Sequence, residues 1–170
     1  GPQSRGLLQP LVSKDLSNEA FPFGTSRTME LGMAVVRAHR VTYVGELGWE
    51  IYIPTEFARH VFDVLVRAGA GHGLRLVGVN AMDTLRLEKA YRHFGHDIVD
   101  EDHVLEAGLG FAVKPDKPQS KFGDFIGREA VRAKRSDGLR RRLLQFQLED
   151  PTPLLYHTEP IFAEGTMVGY

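Results

Sequence analysis

Glu50 is the residue whose type and surroundings are best suited to binding a ligand. It ends the sequence Y-V-G-E-L-G-W-E, in which Gly45 and Gly48 frame a four-residue loop between two stretches of β-like sequence. A hairpin with this loop pairs Tyr43 with Glu50 and places Tyr52 on the same face, so the carboxylate lies between aromatic rings. Such a carboxylate can accept two parallel N–H bonds from a planar donor, for example an arginine or a 2-aminopyrimidinone ring. A solvent-exposed glutamate on the polar side of a hairpin is the alternative, and the pattern alone leaves both open.

A second polar group follows in the sequence N-A-M-D-T-L-R-L-E-K, which is predicted to be helical. Asp83, Arg86 and Lys89 are spaced three residues apart, the spacing of ordinary ion pairs along a helix surface. His93 and His96 come next, but they lack the H-E-x-x-H pattern of a zinc-binding helix, and the nearby acids do not follow the calcium-loop spacing. We therefore interpret this group as surface ion pairs and expect no metal site.

A basic stretch lies at residues 128–142. It holds seven cationic side chains: Arg128, Arg132, Lys134, Arg135, Arg140, Arg141 and Arg142. No aromatic residue interrupts them to stack on bases, and no glycine-rich phosphate loop occurs anywhere in the sequence. The pattern favours a solvated basic face that docks an acidic neighbour. Contact with nucleic-acid phosphates is the alternative, and it predicts a steep salt dependence of binding.

The composition narrows the class of protein. The chain has 170 residues, of which 42% are hydrophobic and 25% charged, with a formal net charge of −1. These values are typical of a globular protein and give no global attraction to nucleic acid or to an anionic membrane. The sequence contains no cysteine, which excludes disulfides, thiolate nucleophiles and cysteine-bound metals. Both ends look internal to a longer chain, because the sequence starts at Gly1 without an initiator methionine or a signal-peptide pattern.

Helices and antiparallel hairpins must position these residues. Hydrophobic spacing predicts helices over residues 3–12, 55–69, 80–93 and 127–135, and strands over residues 28–35, 37–44, 49–53, 111–114, 143–148, 159–163 and 167–170. The helices are segregated from the hairpins instead of alternating with parallel strands, which predicts an α+β fold. A change in pattern near residues 136–138 divides the chain into domains over 1–135 and 139–170.

The order of several motifs resembles the folate-binding aminomethyltransferase family, which includes the T-protein of the glycine cleavage system. These motifs are G-P-Q-S-R-G-L-L, Y-V-G-E-L-G-W-E-I, M-D-T-L-R-L-E-K-A-Y-R-H-F-G-H-D, L-E-A-G-L-G-F and G-D-F-I-G-R-E-A. The resemblance covers nearly the whole chain. The sequences N-E-A-F-P-F and R-V-T-Y-V-G-E-L-G-W-E look closest to the C-terminal regions of dimethylglycine and sarcosine dehydrogenases. The resemblance implies the second half of a folate-binding domain, followed by the first strands of a small β-barrel.

The resemblance also implies roles for individual residues. The carboxylate at Glu50 would bind the pterin ring of tetrahydrofolate, and Tyr43 and Tyr91 would line the pocket. The catalytic aspartate of the family belongs to a segment upstream of this sequence, so we expect no catalytic residue here. T-proteins usually carry arginine where this chain has Met82, just before Asp83. This departure favours the dehydrogenase-like relatives over transfer from a lipoyl carrier.

The function implied is binding of tetrahydrofolate within a flavin-dependent dehydrogenase of an N-methyl amine such as dimethylglycine or sarcosine. FAD would belong to a domain outside this chain, and tetrahydrofolate would receive the one-carbon unit. The expected partners are folate and the missing segments of a parent protein, with no nucleic acid and no membrane. The expected location is cytoplasmic, or the mitochondrial matrix in a eukaryote. We expect the isolated chain to be inactive. A stand-alone aminomethyltransferase and a non-catalytic regulatory relative are the alternatives.

Overall fold

A computed structural model describes residues 1–118 and 124–170. The chain divides into two compact units, Gly1–Val99 and Asp100–Tyr170. Both contain helices and antiparallel strands, which confirms the α+β class. The predicted domain division between residues 135 and 139 stays a prediction.

The first unit contains three helices and a three-stranded sheet. Its elements are α1 (Ser4–Leu8), β1 (Ser26–Leu31), β2 (Ala34–His39), β3 (Glu50–Tyr52), α2 (Ala58–Gly69) and α3 (Val79–Glu88), with short 3-10 turns at Gln9–Leu11, Thr55–Phe57 and Ala70–His72. The strands are ordered β1-β2-β3, and both pairs are antiparallel.

The predicted strand over residues 28–35 is wrong, because the chain reverses inside it. Leu31 pairs with Ala34, so Gly32 and Met33 form a two-residue hairpin loop. Gly32 has a φ of +60°, a conformation that glycine adopts without steric cost. The imidazole of His60 also accepts a hydrogen bond from the Met33 N–H at 3.0 Å. The turn therefore depends on the conformation of Gly32 and on the His60 side chain from α2. The hydrophobic pattern of the sequence predicts neither.

The predicted pairing between the second and third strands is also wrong in register. Glu50 lies opposite His39, where the sequence predicted Tyr43 as its partner, and Tyr52 lies opposite Arg37. The connection is therefore the whole of residues 40–49 and not a four-residue loop. The shift is four residues, an even number, so each side chain keeps its predicted face of the sheet.

The hydrophobic core of the first unit lies between one face of this sheet and the helices. Alternate strand residues point inward and are buried: Met29, Leu31, Ala34, Val36 and Ala38. Leu7 and Leu8 from α1, Val61 from α2, and Leu16 and Phe21 from the α1–β1 connection complete this core. Ile51 and Trp49 pack against it. The opposite face, which carries Glu50, remains exposed.

The helix predicted over residues 80–93 ends earlier than expected. α3 stops at Glu88, and the Tyr91 N–H donates to the Arg86 carbonyl at 3.1 Å. Ala90 has a φ of +54°, which a helix does not accommodate. Residues 91–97 therefore form a loop in which Tyr91 and His93 are not on a helix face.

The second unit has one described helix, α4 (Arg128–Asp137), and one described hairpin, β4 (Ile161–Ala163) with β5 (Thr166–Gly169). Both were predicted. Residues 110–112 form a 3-10 turn, so the strand predicted at 111–114 is wrong, and the strand predicted at 143–148 is not formed. A strand requires a neighbour for its backbone groups, and the Leu143 N–H instead donates to the Glu106 carbonyl.

Candidate functional site

Glu50 begins β3 on the exposed face of the sheet. Its Oε2 atom accepts a hydrogen bond from the Tyr52 hydroxyl at 3.3 Å. The Tyr52 ring in turn packs against the ring of His39, with centroids 5.0 Å apart. Within residues 1–118 and 124–170, no lysine or arginine forms an ion pair with Glu50. The carboxylate therefore keeps acceptor capacity for a ligand beside two aromatic rings.

Tyr43 lies in the 40–49 connection, which approaches the end of α3. The ring of Tyr43 makes an edge-to-face contact with His93, with centroids 6.3 Å apart. The same connection is held by Glu46, whose Oε1 lies 3.8 Å from the Lys89 Nζ. Gly45 has a φ of +75° and lies close to Lys89. A Cβ atom added to Gly45 would lie only 2.6 Å from the Cγ of Lys89. Gly45, which the sequence predicted as a hairpin glycine, instead lets the chain pass close to the end of α3. The strand pairing predicted from a hairpin turn at Gly45 is therefore wrong.

Tyr91 follows the end of α3, and the residue is 39% exposed. Its carbonyl accepts a hydrogen bond at 3.0 Å from Nη1 of Arg86. The structure thus places Tyr43 and Tyr91 near the same short loop, because Tyr43 contacts His93, two residues beyond Tyr91. It does not make Tyr43 the cross-strand partner of Glu50.

Arg86 forms the predicted ion pair with Asp83, but it is buried, with 2% of its surface exposed, so its predicted surface position is wrong. Its Nε donates to Asp83 Oδ1 at 2.7 Å, and its Nη1 and Nη2 both bond to the carboxylate of Asp97. The hydrogen bond from Arg86 lowers the pKa of Asp83. Burial opposes the ionisation of Asp97, but hydrogen bonds from the His93 backbone, His96 and Arg86 outweigh it and lower the pKa of Asp97. Both carboxylates therefore stay ionised around one buried cation.

His93 and His96 are the residues of this region whose importance the sequence did not reveal. Their rings stack with centroids 5.7 Å apart, and His96 Nδ1 lies 3.0 Å from Asp97 Oδ1. The Nδ1 atom of His93 lies 3.8 Å from Asp83 Oδ1. The sequence indicated only that they lie close to the helix that carries Asp83. Because that helix was predicted to continue to residue 93, their position in a loop could not be recognised. No three His, Asp or Glu side chains in the described parts of the chain are arranged to hold a metal ion.

The basic stretch at 128–142 is largely neutralised within the second unit. Within residues 1–118 and 124–170, five of its seven cations form ion pairs: Arg128 with Asp124, Arg132 with Glu129, Lys134 and Arg141 with Glu106, and Arg135 with Asp116. Glu106 is buried, with 7% of its surface exposed, and hydrogen bonds from Lys134 and then Arg141 lower its pKa. These contacts make the stretch a structural ion-pair cluster, and they weaken the nucleic-acid alternative.

The chain belongs to the GCVT family, the class that the sequence motifs indicated. The GCVT N-terminal domain matches residues 1–117. Human mitochondrial sarcosine dehydrogenase is 45% identical over all 170 residues, and human mitochondrial dimethylglycine dehydrogenase is 38% identical over 169 residues. The aminomethyltransferase of Halothermothrix orenii is 38% identical over 169 residues.

The chain is short relative to these proteins. It spans 18% of the sarcosine dehydrogenase, 19% of the dimethylglycine dehydrogenase and 45% of the aminomethyltransferase. Among the described residues, no helix combines the length and apolarity needed to cross a bilayer.

Proposed function

We propose that this chain is the tetrahydrofolate-binding part of a flavin-dependent dehydrogenase that acts on an N-methyl amine of the sarcosine or dimethylglycine type. The observation that carries folate binding is the carboxylate of Glu50. It lies exposed on β3 beside Tyr52 and His39, with no cation paired to it in the described residues. This arrangement suits a flat ligand that presents adjacent N–H donors, because the carboxylate can accept both while aromatic rings contact the ring face.

Tetrahydrofolate fits this donor set. Its pterin ring presents a ring N–H and an exocyclic amine side by side, and its amine nitrogens supply the chemistry of accepting a one-carbon unit. In this proposal Glu50 orients the pterin, and Tyr43 and Tyr91 line the pocket. FAD is placed outside this chain, where it would oxidise the N-methyl amine. The chain's own described residues would bind and orient folate.

The dehydrogenase assignment rests on the relatives and on Met82. Over the length of this chain, identity is higher to the sarcosine dehydrogenase than to the aminomethyltransferase, 45% against 38%. The Met82 side chain is 37% exposed on α3 and offers a thioether where T-proteins usually carry a guanidinium. A stand-alone aminomethyltransferase is the second candidate, and its 38% identity supports it. The mitochondrial names of the dehydrogenase relatives favour the mitochondrial matrix for a eukaryotic source.

Folate binding is tested by titrating the 170-residue chain with 5-formyltetrahydrofolate and following its amide resonances, a method that measures millimolar as well as micromolar affinities. We expect saturable binding, and we expect Glu50→Gln to raise the Kd at least about fivefold, because a charged acceptor is replaced by a neutral amide. Glu30→Gln is the matched control, since Glu30 is an exposed glutamate on β1 of the same sheet. Absence of binding by the wild type, or equal effects of the two substitutions, would contradict the proposal.

A further inference from the structure

The loop after α3 is held by bonds from one buried side chain. Arg86 donates to the Tyr91 carbonyl and to the carboxylate of Asp97, so it joins the two ends of residues 91–97. Asp97 also accepts the His93 N–H at 2.8 Å. Burying a guanidinium is costly unless its donors are satisfied, and here they are bonded to two carboxylates and a carbonyl. The loop therefore has one strongly preferred conformation near His93.

The side chain of His93 is surrounded on three sides. Tyr43 contacts the ring edge-to-face, His96 stacks on it with the planes inclined by 15°, and the Asp83 carboxylate faces Nδ1. A carboxylate facing Nδ1 favours the tautomer with the proton there, which leaves Nε2 as a hydrogen-bond acceptor. The side chain is 51% exposed, and within residues 1–118 and 124–170 no group hydrogen-bonds to its Nε2. This nitrogen is therefore an open acceptor on a ring that contacts Tyr43.

We propose that His93 is a further ligand-contacting residue of the folate site, where its Nε2 accepts an N–H of the bound ligand, and that Arg86 is the positioning residue that holds it. The inference rests on the proposed function, because Tyr43 is a predicted wall of the folate pocket and His93 contacts Tyr43. The chemical class that fits this corner is a reduced heteroaromatic ring with N–H donors at its edge. Tyr43 would contact the ring, and His93 would accept one donor.

The substitution His93→Phe tests the contact, because phenylalanine keeps an aromatic ring against Tyr43 and removes the acceptor nitrogen. In the amide-detected titration with 5-formyltetrahydrofolate, we expect the Kd to rise about three- to tenfold, the usual effect of one lost hydrogen bond. His96→Asn is the control, because the amide keeps a hydrogen-bonding group beside Asp97, removes the stacked ring and leaves the His93 nitrogen in place; its Kd should stay within about twofold of wild type.

The outcomes separate the two proposals. If Glu50→Gln weakens binding while His93→Phe binds like wild type, the role of His93 is wrong and the proposed function stands. If His96→Asn weakens binding as much as His93→Phe, the effect belongs to the stacked pair of rings and the assignment to Nε2 is wrong. If the wild type does not bind the probe, the proposed function itself fails.

A double-mutant cycle tests whether Arg86 acts through His93. Lysine keeps the charge of Arg86 but cannot reach the two carboxylates and the carbonyl together. We expect Arg86→Lys to weaken binding at least about fivefold in the wild type and less than about twofold in the His93→Phe background. Equal fold-changes in both backgrounds would overturn the positioning role. If Arg86→Lys does not fold, Asp97→Asn replaces it, because it removes the charge that binds Arg86 and anchors the same loop. The cycle then combines Asp97→Asn with His93→Phe, with the same expected fold-changes.

Discussion

Glu50 and Glu106 show how differently one side-chain type is used in the two units. Glu50 is exposed on β3, and its described partner is a neutral tyrosine hydroxyl. Glu106 is buried, and its two oxygens bind Lys134 at 2.7 Å and Arg141 at 3.1 Å. A carboxylate whose lone pairs are occupied by cations holds a fold together, whereas one with unused acceptor capacity can receive a ligand. The distinction locates the candidate site in the first unit.

The largest expected effect is on stability and belongs to Glu106. The substitution Glu106→Gln keeps the shape and removes the charge, which leaves Lys134 and Arg141 without their shared anion. We expect a clearly lower urea midpoint of the second unit, measured by amide signals from residues 100–170. If the urea midpoint of the second unit were the same in Glu106→Gln as in Glu50→Gln, the contrast between Glu106 and Glu50 would be wrong.

The second effect is acid sensitivity. Hydrogen bonds from Lys134 and Arg141 depress the pKa of Glu106 below its ordinary value of 4.5, so the folded state favours the ionised form. The stabilisation is therefore present above the ordinary pKa and is lost as the pH falls through the lower pKa of the folded state. Urea midpoints measured between about pH 6 and pH 3 should fall less steeply for Glu106→Gln than for wild type. Parallel curves for the two proteins would show that Glu106 is not a source of the acid sensitivity.

The third effect should be nearly absent. Because Glu50 is exposed and lacks a cationic partner in the described chain, Glu50→Gln should change the free energy of unfolding by less than about 0.5 kcal/mol. Urea unfolding of the first unit, followed by amide signals from residues 1–99, measures this value. A loss above about 2 kcal/mol would assign Glu50 a structural role and reduce the contrast with Glu106.

The smallest expected effect is retention on a polyanion. Since Lys134, Arg135 and Arg141 are paired with acids inside the second unit, the basic stretch should attract phosphate-like charge weakly. We expect the chain to pass through a heparin column at about 50 mM salt. Retention that persists to several times that salt concentration would revive the nucleic-acid alternative.

The sequence predicted the exposed face of Glu50 and its neighbour Tyr52 correctly, but not its cross-strand partner. Side chains alternate with a period of two, so the face survived a register error of four residues. The cross-strand partner depended on the role of Gly45, and a glycine needed for a close approach to Lys89 has the same sequence signature as one needed for a turn. The resemblance to the folate-binding family was confirmed, because it rested on the order of several motifs.

The buried arginine was beyond prediction for a different reason. Asp83 and Arg86 have the spacing of a surface pair, and only the reversal at Ala90 brings Asp97 back to enclose the guanidinium. Local spacing describes contacts within one helix and carries no information about a loop that returns to it. The same reversal places His93 beside Tyr43, so the error at one helix end also concealed a candidate site residue.

The central claim is that folate binds to the first unit at the open carboxylate of Glu50. The most direct measurement is a map of amide shifts as the wild-type chain is titrated with 5-formyltetrahydrofolate. The account predicts that the largest shifts occur at residues 50–52, 43 and 91–93, and that Glu50→Gln reduces them at equal ligand concentration. Shifts concentrated at residues 102–141, or shifts that Glu50→Gln leaves unchanged, would contradict it.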